Sequence, residues 1–476
     1  MRGDTFKDGE RITLVLIACA FSCLLISISV GGLAALYYIP FFAKGALALG
    51  FSLVELRPLH TTFASSWIFM AVVACVHFFL FEKEGPTPAE KLRAKIQLVC
   101  WGLAGLGVLF TLPFGITTGR EYLGFIPPIS LLILVGWILF AITFFRRMGR
   151  GFFGRPVYVY MWGVGILYFI YTFIEGHAYL LPGMKESPIA DMQVQWKSCG
   201  TLVAAFNQMV YGALIYVGAR MAGDDSPAHS KTSFALFGVG LLNSFTNYAH
   251  HTYHLPQSHL VKWVAFGVSM LEIILLVLVF QEITKLLSRK ARSTHEFKTT
   301  VHFIELSKCW NFFLLSLALL ISVPPLNALI HGTHVVMAHA MGSELAIDSY
   351  ILFAVIAYLF SRIYPKREVL EGYIDCLQMR HIARRLNVSL AALVILLLVR
   401  GLAVGITRYL GQRPPTWLDD FPYLFALLGL SVGYFLVRLV FTWVPLLTRA
   451  REHKCWGAAN PGAGTSSKQP AELQTR

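Results

Sequence analysis

Twelve apolar runs, each long enough to cross the roughly 30 Å hydrocarbon core of a bilayer, leave this chain few folds to choose from. They cover residues 12–40, 58–82, 94–116, 124–145, 153–181, 196–220, 231–253, 260–284, 309–328, 331–362, 386–409 and 420–447. In lipid, every backbone N–H and C=O must be satisfied within its own segment, so runs of this length predict helices. The expectation is an all-α polytopic membrane protein with about 12 transmembrane helices. Residues 1–448 form the transmembrane domain, and 449–476, rich in Gly, Ser, Pro and charge, form a disordered cytoplasmic tail. A composition of 56% hydrophobic and 14% charged residues, with mean hydropathy +0.61, agrees with this reading.

The net charge of +14 does not point to nucleic acid. Its lysines and arginines gather in alternate connections: Lys83, Lys91, Arg93 and Lys95; Arg146, Arg147, Arg150 and Arg155; Lys285, Arg289, Lys290 and Arg292; Lys366, Arg367, Arg380, Arg384 and Arg385. The positive-inside bias then predicts both termini in the cytoplasm. Eight cysteines without a CxxC pair indicate neither a disulfide framework nor a zinc site.

The stretch His331–Met341 holds three histidines and two methionines at the start of the tenth run. Metal-binding side chains inside a membrane are costly and are therefore functional candidates. His339 and Met341 lie two residues apart, about 200° around a helix, and so address opposite faces. With the predicted orientation, His60 opens the second run at its outer end, His250 and His251 close the seventh there, and His331, His334 and His339 open the tenth there. Histidines from three distant helices share one depth, which suggests haems or metals held between helices near the outer surface. Polar helix termini are the plainer alternative for any one of these residues. Glu175, Glu344 and Asp348 are further intramembrane acids that either belong to a proton path or pair locally, and for Glu175 a local pair with His177 is expected.

Four stretches resemble the catalytic subunit of nitric oxide reductases, a branch of the haem–copper oxidase superfamily. They are Leu59-His60-Thr61; Gly119-Arg120-Glu121-Tyr122-Leu123; Ala249-His250-His251 with Met270-Leu271-Glu272; and His331-Gly332-Thr333 with Ala338-His339. The resemblance spans nearly the whole chain and implies a haem–copper oxidase subunit I-like bundle, making 1–448 a haem-binding domain. It implies His60 as a ligand of a low-spin haem b, His339 as the proximal ligand of a high-spin haem, and His250 and His251 as ligands of a non-haem iron or copper. Glu272 would tune that metal or relay protons, and Glu121 would help hold a calcium ion. The implied partners are a membrane-anchored cytochrome c or copper-protein electron-donor subunit, the lipid bilayer and a gaseous substrate. The implied location is the bacterial cytoplasmic (inner) membrane.

Two positions depart from that pattern. Met341 stands where the family's second low-spin ligand is normally histidine; methionine ligates haem and raises its potential. His334 is an alternative ligand. On the sixth run, Gly200 and Ala204 stand where the family has a third metal histidine and a glutamate, with Cys199, Asn207 and Gln208 nearby. Reduction of NO to N2O is the leading reading. Oxygen reduction ranks below it, because Ser244 occupies the position of the tyrosine that oxygen-reducing relatives carry. The replaced metal ligands leave room for a non-catalytic haem protein that senses a gas or passes electrons.

Overall fold

The structure, a computed structural model, describes residues 6–120, 122–149, 151, 153–246, 253, 258–290, 295–364 and 366–448. Among these residues its regular structure is all helical. The principal helices are α1 (Asp8–Leu36), α2 (Leu53–Phe81), α3 (Pro88–Thr111), α4 (Pro127–Met148), α5 (Val157–Glu175), α6 (Pro188–Ala222) and α7 (Lys231–Thr246). They continue with α8 (His259–Arg289), α9 (Lys298–Ile321), α10 (His334–Ile363), α11 (Met379–Tyr409) and α12 (Phe421–Trp443).

Among the described residues, eleven helices are long and apolar enough to cross a membrane, against the twelve anticipated. The remaining run corresponds to α7, of which 16 residues are described; the rest of it, including His250 and His251, lies outside the described residues. The anticipated tail 449–476 lies outside them as well.

Local chemistry sets the helix ends. Ser52 caps α2 through Val54 N, with Glu55 reaching back to the Ser52 N–H, and Thr87 and Glu90 form the same reciprocal box at α3. Proline occupies the first turn of α3, α4, α6 and α12, where a missing N–H costs nothing. Several boundaries differ from the sequence reading, the ninth helix starting at Lys298 and not at 309, and two of the shifts have a plain local cause. The ninth run ends at Ile321 because Pro324 and Pro325 open a separate short helix, Pro324–Ile330. The tenth helix starts at His334, after Gly332 turns the chain at φ +73°, so His331 precedes it.

Two helices form the centre. The last half of α10, Ser349–Ile363, is buried on all sides except at Arg362 and packs against α2, α6 and α9. Most of α2 is likewise enclosed, and its Trp67 donates to Ser349 Oγ at 3.0 Å.

The end of the bundle that carries the basic connections is laced by ion pairs: Lys91 with Asp8, Arg147 with Glu90, Arg362 with Glu82, and Arg367 with Glu296. The Arg147 pair is the most enclosed. Its guanidinium donates to both Glu90 oxygens at 2.7 and 2.8 Å and to Gly85 O at 2.8 Å, and Glu90 is only 5% exposed. Removing one partner strands a buried charge. Arg147→Ala is therefore expected to lower stability by about 3 kcal/mol. Unfolding in detergent measures it, and a loss below about 0.5 kcal/mol would class the pair with solvent-screened bridges.

Candidate functional site

His60 sits about two turns into α2, two residues after Pro58, with its imidazole turned against α1. Its Nδ1 lies 2.8 Å from Ser27 O and 3.1 Å from Ser27 Oγ. A carbonyl oxygen only accepts, so this contact puts the proton on Nδ1 and leaves the lone pair on Nε2. Gly31 makes the space. A Cβ there would lie 2.8 Å from ring atoms Cε1 and Nδ1, so any larger residue would occupy the ring's place.

The start of α10 is built by close backbone approach. Thr333 caps it through Val335 N, and α11 crosses it at two glycines. A Cβ on Gly401 would lie 2.3 Å from Val335 N, and one on Gly405 2.8 Å from Leu329 O.

His334 is committed at this crossing. Arg400 Nη1 lies 2.9 Å from its Nε2 and 3.1 Å from its Nδ1, and its ring packs edge-on to Phe421 and Tyr38. His334 is thus held by Arg400, which argues against it as the alternative to Met341. Arg400 also lies 3.9 Å from the Phe421 ring centre, leaves its buried Nε without a partner, and pairs with no carboxylate among the described residues.

Farther along α10, His339 carries a buried Nδ1 with no hydrogen-bond partner, and Met341 is partly buried against the core. His60 and Met341 lie at similar depths. Tyr38, just past the end of α1, touches His334, and seven residues separate Tyr38 from Gly31 as they separate His334 from Met341. At 1.5 Å per residue both steps are about 10 Å. His339 is on the opposite face of α10.

Glu272 of α8 is half-buried and accepts from Asn243 Nδ2 of α7, whose Oδ1 accepts from Ser269 at 2.9 Å. Gln208 of α6, 2% exposed with an unpartnered Oε1, reaches the same spot. From the point where a Gly240 Cβ would stand, Gln208 Nε2 is 2.1 Å away and Glu272 Oε1 3.4 Å. On α6, Gly200 and Ala204 are buried and offer no ligating side chain; the neighbouring Thr201 ties to Ser244 O at 2.9 Å. Among the described residues no three His, Cys, Asp or Glu side chains gather to hold a metal ion. His250, His251 and Glu121 fall outside the described residues. Tyr253, which follows the paired histidines, is buried.

Glu175 bonds to Lys197 at 2.7 Å and to Tyr171, whereas His177 bonds Ser130 Oγ at 2.7 Å and Phe173 O at 2.6 Å. The anticipated Glu175–His177 pair does not form, because a lysine one helix away offers the carboxylate a full charge. Arg120 in the loop before α4 makes a bidentate pair with Asp191, at 2.9 and 2.6 Å. Sequence reasoning missed Arg400, whose place inside an apolar run was the available signal, and Asn243, which carries none.

The imidazole of His60 with its fixed tautomer, the orphaned buried nitrogen of His339 and the carboxylate-free cation Arg400 suit a carboxylate-bearing haem. No curated protein sequence gives a significant match. A solved cryo-EM structure of a haem–copper terminal oxidase dimer superposes with a TM-score of 0.68 at 14% identity, covering 93% of this chain and 84% of that one, a likeness of fold. The family model for cytochrome c and quinol oxidase polypeptide I matches residues 11–451. With nearly the full length matched and a helical bundle of the same fold, the chain belongs to this family, subunit I of the haem–copper oxidases.

Proposed function

We propose that this chain is the catalytic subunit of a membrane nitric oxide reductase, reducing NO to N2O with electrons from a membrane-anchored cytochrome c or copper-protein subunit. The observation that carries the reading is the pairing in depth of His60 with Met341, with His339 on the opposite face of the same helix. His60 and Met341 would hold a low-spin haem b and His339 a high-spin haem, with His250, His251 and Glu272 toward a non-haem iron or copper. Bound there, the haems supply electron transfer and a site for a gaseous ligand.

The chain's own groups do the rest. The Ser27 carbonyl orients the His60 ring. Arg400 offsets the negative charge of carboxylates at the depth of His334. Asn243 and Gln208 flank the Glu272 carboxyl, so a proton held at its oxygens has hydrogen-bonding neighbours on α6 and α7. Glu121 would bind calcium in the loop that Arg120 ties to Asp191. The basic connections orient both termini to the cytoplasm of a bacterial inner membrane.

Oxygen reduction is the second reading. Its support is a phenol near Ser244: the Tyr168 ring of α5 packs 5.6 Å from that of Phe245, the next residue. Haem and metal content, followed by NO and O2 consumption with a reduced artificial donor, decides between them. Two haems with N2O as product support the first reading. O2 consumption without N2O supports the second, and no haem at all removes both. Met341→His is expected to keep two haems but to lower the low-spin potential, because imidazole replaces thioether. A redox titration measures this, and an unmoved potential would exclude Met341 as a ligand.

A further inference from the structure

Protein interiors are close-packed, with few voids larger than a water molecule. One void in this bundle is far larger. A half-open cavity of about 130 Å3 lies among α1 to α6. An engineered apolar cavity of roughly 150 Å3 stays dry and takes up benzene, so a space of this size accepts several carbon atoms.

The inner wall is aromatic and buried. Trp137 of α4 stacks on Phe169 of α5 with ring centres 4.0 Å apart, and Phe69 of α2 meets Phe169 edge-on at 4.9 Å. The other side is made of small, partly exposed residues: Cys23 of α1, Ser66 of α2 and Gly105 of α3. A Cβ on Gly105 would meet no atom within 4 Å, so no protein atom fills the space in front of it. The mouth therefore lies between α1, α2 and α3.

The character of α3 sets what lies outside that mouth. It is the least enclosed of the spanning helices among the described residues, and its Leu103, Leu106 and Phe110 are exposed. On a spanning helix such side chains face hydrocarbon. α3 leans along α4, while the turn that ends it, Leu112–Phe114, closes on α2. The cavity thus continues the lipid-facing surface of α3 inward. On α2 its lining runs from Thr62 to Met70, about 12 Å along the axis. Thr62 is itself roughly 14 Å from the start of α2 at Leu53, below the level of lipid head groups.

The polar atoms on the wall are already committed. The hydroxyls of Thr62, Ser65 and Ser66 donate to Pro58 O, Thr61 O and Thr62 O at 2.7, 3.0 and 2.8 Å, and Trp101 Nε1 donates to Ile133 O at 3.1 Å. These donors are spent, which disfavours water or a polar head group as the occupant. An empty space would cost the aromatic wall its dispersion contacts on one side, and hydrocarbon restores them.

We propose that the cavity is a lipid site: the acyl chain of a phospholipid in the leaflet nearest His60 enters between α1 and α3 and packs its end on Phe69, Trp137 and Phe169. The chain fills the gap between the α3–α4 pair and α2, the helix that carries His60. No bond is made or broken. The site needs only the spanning fold, so it stands apart from the NO and O2 readings.

The test uses the full-length protein in phosphatidylcholine vesicles that include a phosphatidylcholine with a diazirine at the end of one acyl chain. After illumination, mass spectrometry locates the labelled residues. The expected result is label on Phe69, Trp137 and Phe169, which the bulk bilayer does not touch, as well as on Leu103 and Phe110, which it does. Gly105→Phe fills the mouth and should cut the inner label at least about tenfold, because two groups cannot share one close-packed space. Its label on Leu103 and Phe110 should remain. Label confined to Leu103 and Phe110 in the native protein overturns the proposal, and so does inner label that Gly105→Phe leaves unchanged. If Gly105→Phe fails to accumulate, Ser66→Phe blocks the mouth from α2, and the native pattern alone separates a filled cavity from an empty one. Excess unlabelled phosphatidylcholine should compete the inner label away; competition by an isoprenoid quinone in its place would give the cavity another occupant and overturn the proposal.

Discussion

Replacing His60 with Ala is expected to halve the haem content and abolish the low-spin spectrum while leaving a high-spin haem in place. His60 is the one histidine on α2 at the depth of Met341; the other, His77, lies about 25 Å further along the helix and bonds to Gln97. The groups around the ring have no other evident use: Ser27 O fixes its tautomer, and Gly31 is bare so that it can fit. Electrons from an external donor would lose their entry point, so donor-driven turnover should fall at least about 100-fold, beyond what outer contacts to a ligand usually contribute. Ser27→Ala removes only the hydroxyl and keeps the carbonyl, so its effect should stay within about tenfold. Haem quantitation and reduced-minus-oxidised spectra measure both variants. An H60A protein with two haems would remove His60 from the ligand set.

Gly401→Leu is expected to prevent assembly of the haem-bearing end altogether. At this crossing α11 meets the backbone of α10: a Cβ on Gly401 would have Val335 N as its nearest atom, with Val335 Cγ2 at 2.7 Å and His334 C at 2.9 Å beyond it. Forced overpacking of side chains costs about 1–3 kcal/mol, and here no rotamer change relieves it. The two helices must part instead, moving Arg400 off His334 and shifting the segment that leads to His339. Gly401→Ala should show the same defect in milder form. Expression, haem retention and unfolding midpoint give the measurement, and normal haem content in Gly401→Leu would show that the crossing yields.

Much of the fold was legible in the sequence because the membrane imposes a length on each helix, and apolar length is visible in composition alone. α2, α6 and α8 fall near their anticipated positions for that reason. Two of the boundaries that moved did so for local causes: Pro324-Pro325 cut one run, and Gly332 delayed the start of another. The site was legible only as residue types at one depth. His60 could be placed there, but its dependence on Ser27 and Gly31 belongs to a helix more than twenty residues away. Likewise, Glu175 turned to Lys197, a partner no spacing rule selects. Arg400, Gln208 and Asn243 acquire meaning only from which helices meet, and helix adjacency is not written in periodicity.

The enclosure of the last half of α10 also bears on how the protein is made. Among its neighbours there, α12, whose Trp443 stacks on Phe360, follows it in the chain, but α2, α6 and α9 precede it. They are already in the bilayer when this segment leaves the ribosome, since synthesis delivers earlier segments first. The nascent bundle must therefore keep a berth open at its centre until the tenth helix enters, and α11 then crosses behind its leading end. A truncation before residue 334 would leave that berth to lipid, so the assembly step most exposed to failure is the arrival of the helix that carries His339.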